Sequence, residues 1–167
     1  MAIIPIRIVP DPVLRQKAKR IKSLNGSLQN LIDDMLETMR AAQGVGLAAP
    51  QVGLPLRLAV IQIPDEEEIV LINPQVVRRA GEIRGPEGCL SIPGYVADVP
   101  RAARVTVKSL DRNGRETRVK GEELLARALQ HEIDHLNGIL YTDYLESLDQ
   151  LREVMPAHDG AETETAL

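Results

Sequence analysis

The run Gln130-His131-Glu132-Ile133-Asp134-His135 constrains this chain more than any other stretch. Apolar residues recur around it at Leu124, Leu125, Ala128, Leu129 and Leu136, a rhythm that predicts a helix with a core-facing side. Positions four apart stack on a helix, so His131 and His135 project two imidazoles in one direction. Glu132 lies beside them, close enough to serve a water without being a ligand itself. This is the H-E-x-x-H arrangement, in which two histidines hold a divalent metal and the glutamate handles protons. The plainer alternative is a solvated helix face that carries these residues by chance. The apolar flanks argue against it, as does the scarcity of histidine, with three in the chain.

Burying such a helix needs a core, and composition sets its kind. A length of 167 residues suits one domain, expected over residues 1–155. Apolar residues make up 44%, yet there is no Trp, no Phe and only three Tyr, so the core must be aliphatic. A formal charge of −4 gives no electrostatic footprint for specific nucleic-acid binding. No apolar run has membrane-spanning length, and residues 1–22 lack the layout of a signal peptide. The single cysteine, Cys89, cannot close an internal disulfide. It fits a reducing compartment and a thiol kept for its chemistry, with a small buried residue as the alternative.

Taken in order, residues 3–10 read as an extended arm limited by Pro5 and Pro10. Asp11-Pro12 starts a short helix that should fade near Arg20. Asn25 or Ser27 opens a longer core helix through Leu28, Ile32, Met35, Leu36 and Met39, stopped at Gln43-Gly44. The loop Gly44-Val45-Gly46-Leu47-Ala48-Ala49-Pro50-Gln51 has neither dinucleotide nor phosphate-loop spacing. Its Gln51 amide, set among apolar residues, either ties the loop or offers N–H groups to a ligand. Strands are expected at 56–63, 69–72, 75–79, 96–99, 105–110 and 115–120. Asn73-Pro74 forms a break, 85–94 a turn-rich interruption, and Asp111-Arg112-Asn113-Gly114 a hairpin turn. Gly138 caps the metal helix, residues 141–151 pack as a short helix or arm, and 156–167 has the composition of a disordered tail.

A catalytic site of this type has three protein ligands and one open position. The peptidase route H-E-x-x-H-x-x-G-x-x-H is followed as far as Gly138, but Tyr141 stands where the third histidine belongs. Glu146 and Glu153 are the other downstream carboxylates, without a supporting pattern. Cys89, in its glycine-flanked loop, is the better donor as a thiolate, and the downstream route stays open.

Three segments together resemble the signature motifs of the peptide deformylase family. They are Gly44-Val45-Gly46-Leu47-Ala48-Ala49-Pro50-Gln51, Glu87-Gly88-Cys89-Leu90-Ser91 and Gln130-His131-Glu132-Ile133-Asp134-His135, in the family's order. The resemblance implies an α+β fold in which mixed and antiparallel sheets wrap a central metal-bearing helix. It implies removal of the formyl group from N-formylmethionyl nascent peptides, with release of formate. Cys89, His131 and His135 would hold one divalent metal, with water in the fourth position. Ferrous iron is the implied physiological ion, and zinc, nickel or cobalt the substitutes. Glu132 would move the proton, while the Gln51 amide and the Leu90 backbone N–H receive the developing oxyanion. Gly46 would pair with the extended peptide, Gly88 leave it room, and Val45, Leu124 and Ala128 line the methionine pocket.

Around that site, Glu87 and Asp134 are candidates to orient the ligands with Arg101 as counter-charge, and Arg127 either rims the pocket or points into water, the latter favoured. Pro86 and Gly94-Tyr95 depart from the familiar pattern where later substrate residues pass. The implied setting is the bacterial cytoplasm, in proximity to the ribosome and away from membranes, with a mature organellar form as the alternative. Two rivals remain: an H-E-x-x-H peptidase using a downstream ligand such as Glu146, and a non-catalytic module whose metal is structural.

Overall fold

A computed structural model of the chain describes residues 2–154. In chain order its elements are α1 (Gly26–Ala41), β1 (Gly46–Ala48), β2 (Leu58–Ile61), β3 (Ile69–Ala80), β4 (Ile83–Cys89), β5 (Ile92–Arg101), β6 (Arg104–Leu110), β7 (Glu116–Glu122), α2 (Glu123–Leu136) and β8 (Arg152–Glu153). Short 3-10 turns fall at Pro12–Arg15, Ala49–Val52, Tyr141–Tyr144 and Leu148–Gln150. The strands form a five-stranded sheet in the order β1-β2-β3-β6-β7 and a three-stranded sheet in the order β4-β5-β8. This is an α+β fold. Every strand pairing among the described residues is antiparallel, and the parallel component reduces to an isolated bridge between Lys19 and Leu56.

Side-chain alternation explains how the larger sheet carries a helix on each face. On β2, Ala59 and Ile61 join Ala128, Leu129 and Leu136 of α2, while Leu58 and Val60 face Ile32, Met35 and Met39 of α1. A third cluster, with Cys89, Ile92, Ala97, Val99, Leu140 and Tyr141, backs the smaller sheet. The core is aliphatic, as the composition requires, and Tyr141 is buried within it. Helix α2 is buried continuously from Ala126 to Ile133 and again at His135 and Leu136, so the fold encloses the metal-motif helix.

Several local expectations shift, each for a visible reason. The helix begun at Asp11-Pro12 ends at Arg15, not Arg20. Beyond it, Ala18 N–H bonds the Leu136 carbonyl, and Lys19 exchanges backbone bonds with Pro55 and Arg57, so tertiary pairing takes the chain from the helix. Helix α1 is capped by the Asn25 side chain and stops at Ala41; Gln43, at φ 58°, takes the left-handed position expected of Gly44. The two strands expected around Asn73-Pro74 are one strand with a bulge. Asn73, at φ 52°, uses its side-chain amide on both backbone groups of Ile21.

The turn-rich stretch 85–94 is the largest revision. It is a hairpin in which Cys89 pairs with Ile92 and only Leu90 and Ser91 make the turn. Pro86 is tolerated because β4 is an edge strand, where a missing N–H costs no ladder bond. At the far end of α2, Gly138 N–H bonds the His135 carbonyl and Ile139 N–H the Asp134 carbonyl, a Schellman stop with Gly138 at φ 74°. The N-terminal arm is tied to both site loops by backbone bonds: Arg7 N–H to the Gln51 carbonyl (2.7 Å) and Val9 N–H to the Ser91 carbonyl (3.0 Å). One arm therefore braces both loops that face α2. Residues 156–167, where a disordered tail is expected, and His158 within them lie outside the described residues.

Candidate active site

Three elements meet at one point. Helix α2 contributes His131, Glu132 and His135, the end of β4 contributes Cys89, and the 3-10 turn after β1 contributes Gln51. Cys89 Sγ lies 3.3 Å from His135 Nε2, and the two histidine Nε2 atoms are 3.1 Å apart. Each of these three residues is buried, and their donor atoms all lie within 4.8 Å of one another. Among the described residues, no other such group of His, Cys, Asp or Glu side chains is close enough to share a cation. The downstream carboxylates Glu146 and Glu153 are both exposed and outside that group.

Glu87 fixes the orientation of His131. Its Oε2 lies 2.7 Å from His131 Nδ1, which leaves Nε2 turned toward Cys89 and His135. The same carboxylate accepts from Arg101 Nε (3.0 Å), Arg101 NH2 (2.6 Å) and Arg127 NH1 (3.0 Å). Burial by itself would raise the Glu87 carboxyl, but His131 and Arg101 outweigh it and hold it well below the usual carboxylate range. It is therefore ionised, and His131 Nδ1 is the donor. Asp134 accepts from Arg101 NH1 (2.6 Å), which places Arg101 between the two carboxylates as the sequence anticipates. Arg127 differs from expectation: it is buried, and its guanidinium spans from Glu87 to the Val99 carbonyl (3.0 Å) and does not point into water.

The electrostatics set the two imidazoles apart. Burial opposes charge on His131, yet Glu132 and Glu87 raise it well above its ordinary value. Burial and the neighbouring His131 push His135 well below, keeping its nitrogen lone pair available. A thiolate and two imidazoles suit a borderline-soft divalent cation, so the residues present fit a metal.

Glu132 is the anomaly. Its carboxylate is fully buried, and neither oxygen has a hydrogen-bond partner within the protein. Burial raises its pKa, only partly offset by His131, to about 7. Buried polar atoms left without partners in the protein mark a place where something else binds. Gly46 accounts for the tight fit on the other side, because a Cβ added there would overlap the Glu132 carboxylate. Similarly, the Leu90 side chain lies where a Cβ at Gly44 would go, at 2.7 Å from Cδ1.

Gln51 serves two ends at once. Its Oε1 accepts from Ala48 N–H (2.9 Å), tying the loop, while Nε2 reaches Ser91 Oγ (3.1 Å) and Cys89 Sγ (3.6 Å). Leu90 directly follows Cys89 in the hairpin turn, and Gly88, buried, precedes it. Val45 and Ala128 share one core cluster, with Leu124 packed at its edge. Ser91, Arg127 and Tyr144, which bonds Asp134, join this constellation without having been assigned a part in it from sequence. Arg127 sits one helical turn before His131, a spacing that places both on one face.

A cysteine sulfur and two imidazoles, with an unpartnered buried carboxyl on the same helix, have the make-up of a mononuclear metallohydrolase centre. The family model described as polypeptide deformylase matches residues 3–151. A peptide deformylase of Dehalococcoides mccartyi is 56% identical over 157 residues, covering 93% of this chain and 94% of the relative. One from Rhizobium meliloti is 51% identical, covering 89% and 88%. Among solved structures, the peptide deformylase of Legionella pneumophila superposes with a TM-score of 0.87 at 52% identity, covering 89% of each chain. That of Synechococcus elongatus, in complex with actinonin, gives 0.85 at 46%, covering 88% and 81%.

The chain belongs to the peptide deformylase family. It is a metal-dependent hydrolase that removes the N-terminal formyl group from newly made polypeptides.

Proposed function

We propose that Cys89, His131 and His135 hold one divalent metal ion per chain, ferrous iron in the cell, with zinc, nickel or cobalt able to replace it. The observation that carries this reading is the convergence of the three buried donor atoms within 4.8 Å of one another, with the unpartnered carboxylate of Glu132 on the residue next to His131. A cation held there supplies Lewis acidity, lowering the pKa of a water and polarising a carbonyl. Glu132 takes the proton of the water that attacks the formyl carbon. It then delivers that proton to the amine nitrogen as the carbon–nitrogen bond breaks and formate leaves. Gln51 Nε2 and the Leu90 backbone N–H donate to the oxygen on which negative charge develops. Glu87, by its bond to His131 Nδ1, keeps that ligand aimed.

The substrate lies extended along β1, paired with Gly46, and the small Gly88 leaves room for it. Its methionine side chain enters the apolar space near Val45, Leu124 and Ala128, where a flexible thioether packs well. Residues 1–155 act as one catalytic domain. Its setting is the bacterial cytoplasm near the ribosome, where formylated N-termini emerge. No described helix is long and apolar enough to cross a membrane.

Metal analysis of variants tests the ligand set. Cys89→Ala should lose the metal, and Glu132→Ala should keep one per chain while turnover falls. A Cys89→Ala protein that retains its metal, with Glu146→Ala losing it, would overturn this reading in favour of a downstream-ligand peptidase.

A further inference from the structure

The ion-pair network behind His131 has an outer end that the reaction does not explain. Tyr144 closes the 3-10 turn Tyr141–Tyr144, just beyond α2. Its hydroxyl donates to Asp134 Oδ2 at 2.7 Å, the oxygen that also accepts from Arg101 NH1. Its ring lies under the same arginine, with the Arg101 Cζ 4.7 Å from the ring centroid. Arg101 is thus held on three sides: by both oxygens of Glu87, by Asp134 and by the face of Tyr144. Glu87 and Arg101 are almost fully buried, whereas Tyr144 is 41% exposed. It lines a cleft of about 410 Å³ with Arg79, Glu82, Asn137, Asp134 and Arg101. Tyr144 stands with Asp134 and Arg101 at the border between the buried ion pairs and that cleft.

We propose that Tyr144 is a positioning residue for the catalytic centre, acting through Asp134, Arg101 and Glu87 on the orientation of His131. The proposal rests on His131 being a metal ligand. A guanidinium bound by two carboxylates tilts if one of them is solvated and swings away. Glu87 shares its Oε2 between Arg101 and His131, so a tilt of Arg101 changes the acceptor seen by Nδ1. The hydroxyl fixes Asp134 and the ring fixes the guanidinium plane, so the two contributions separate by substitution. Groups that orient metal ligands from behind commonly alter metal affinity by 10–100-fold when removed. With three residues between it and the ligand, Tyr144 should sit at the lower end of that range.

The test uses the full chain loaded with Co²⁺, read by its thiolate-to-cobalt absorption and by the rate of cobalt loss to a chelator. Tyr144→Phe keeps the ring and loses the hydroxyl; Tyr144→Leu loses both. Cobalt loss should quicken about 3-fold in the first and about 10-fold in the second, with a shifted band. Arg15→Ala is the control, because it releases the same turn from Asp143 (2.6 Å) without touching Arg101. It should lower thermal stability and leave band and loss rate as in the parent. Unchanged bands and loss rates in both Tyr144 variants overturn the proposal, and so does an Arg15→Ala protein that matches Tyr144→Leu. A parent with no thiolate-to-cobalt band would instead refute the ligand assignment beneath it.

Discussion

At the scale of single residues, the proposed chemistry turns on Glu132, a buried carboxyl with no hydrogen-bond partner within the protein. Replacing Glu132, the proposed proton carrier, leaves all three proposed ligands in place. Glu132→Ala should therefore lower kcat by about 10²–10⁴-fold with KM little changed, measured as formate release. A KM increase without loss of kcat would place Glu132 in binding instead. Gln51→Ala should cost about 10²–10³-fold, and Gln51→Glu should not restore it, because a carboxylate cannot donate to an oxyanion. The convergence of His131 and His135 is legible in the sequence from helical spacing, whereas Cys89 comes from a different element, the end of β4, and is brought to them only by the fold. Arg127 is buried where the sequence favours solvent. An arginine on an otherwise apolar helix face looks solvent-seeking until its buried counter-charge, Glu87, 40 residues away in the chain, is brought beside it.

At the scale of elements, glycines mark where backbone must approach side chain. Gly46→Ala should cut activity by more than about 10-fold while the protein stays folded, because the added methyl can be admitted only by moving the Glu132 carboxylate. Parent-like kinetics for that variant would show that β1 has slack. At Gly138 a Cβ would approach the Arg15 carbonyl to 2.6 Å, and the φ of 74° is left-handed. Gly138→Ala should therefore cost stability, about 1–3 kcal/mol by denaturant titration, with smaller effect on metal binding.

The metal helix, α1 and the Asp111–Gly114 turn follow directly from periodicity and turn chemistry. The β4–β5 hairpin does not, because Gly, Pro and Glu around Cys89 have poor strand propensity. Their pairing is supplied by Val96, Ala97 and Val99 across the ladder. The helix from Pro12 is likewise cut short by backbone partners, Leu136 and Pro55, that no local pattern reveals.

Across the whole molecule, two sheets and an arm converge on one helix, and a buried ionised carboxylate joins the smaller sheet to that helix. Glu87, on β4, binds Arg101 at the end of β5 and Arg127 and His131 on α2. Its carboxyl is held well below the usual range when folded, while in the unfolded chain it titrates near its ordinary value of about 4.3. The unfolded state therefore binds the extra proton first. The stabilisation from Glu87 is fully present above that value and is lost as pH falls through the folded pKa. Glu87→Gln should destabilise the protein near neutrality, by about 3–5 kcal/mol for breaking a buried charge network. Its deficit against the parent should shrink as pH drops below about 4. A deficit independent of pH would mean that the charge on Glu87 is not what holds these elements together.

The most direct test of the account is formate release from formyl-Met-Ala-Ser, using protein prepared without oxygen and loaded with ferrous iron or nickel, beside Glu132→Ala carrying the same metal. Formate should appear stoichiometrically with Met-Ala-Ser in the parent and be reduced by at least about 100-fold in the variant. Equal turnover by both proteins would contradict the assignment of Glu132 as the proton carrier. Cleavage at the internal amides with no formate would contradict the reaction itself.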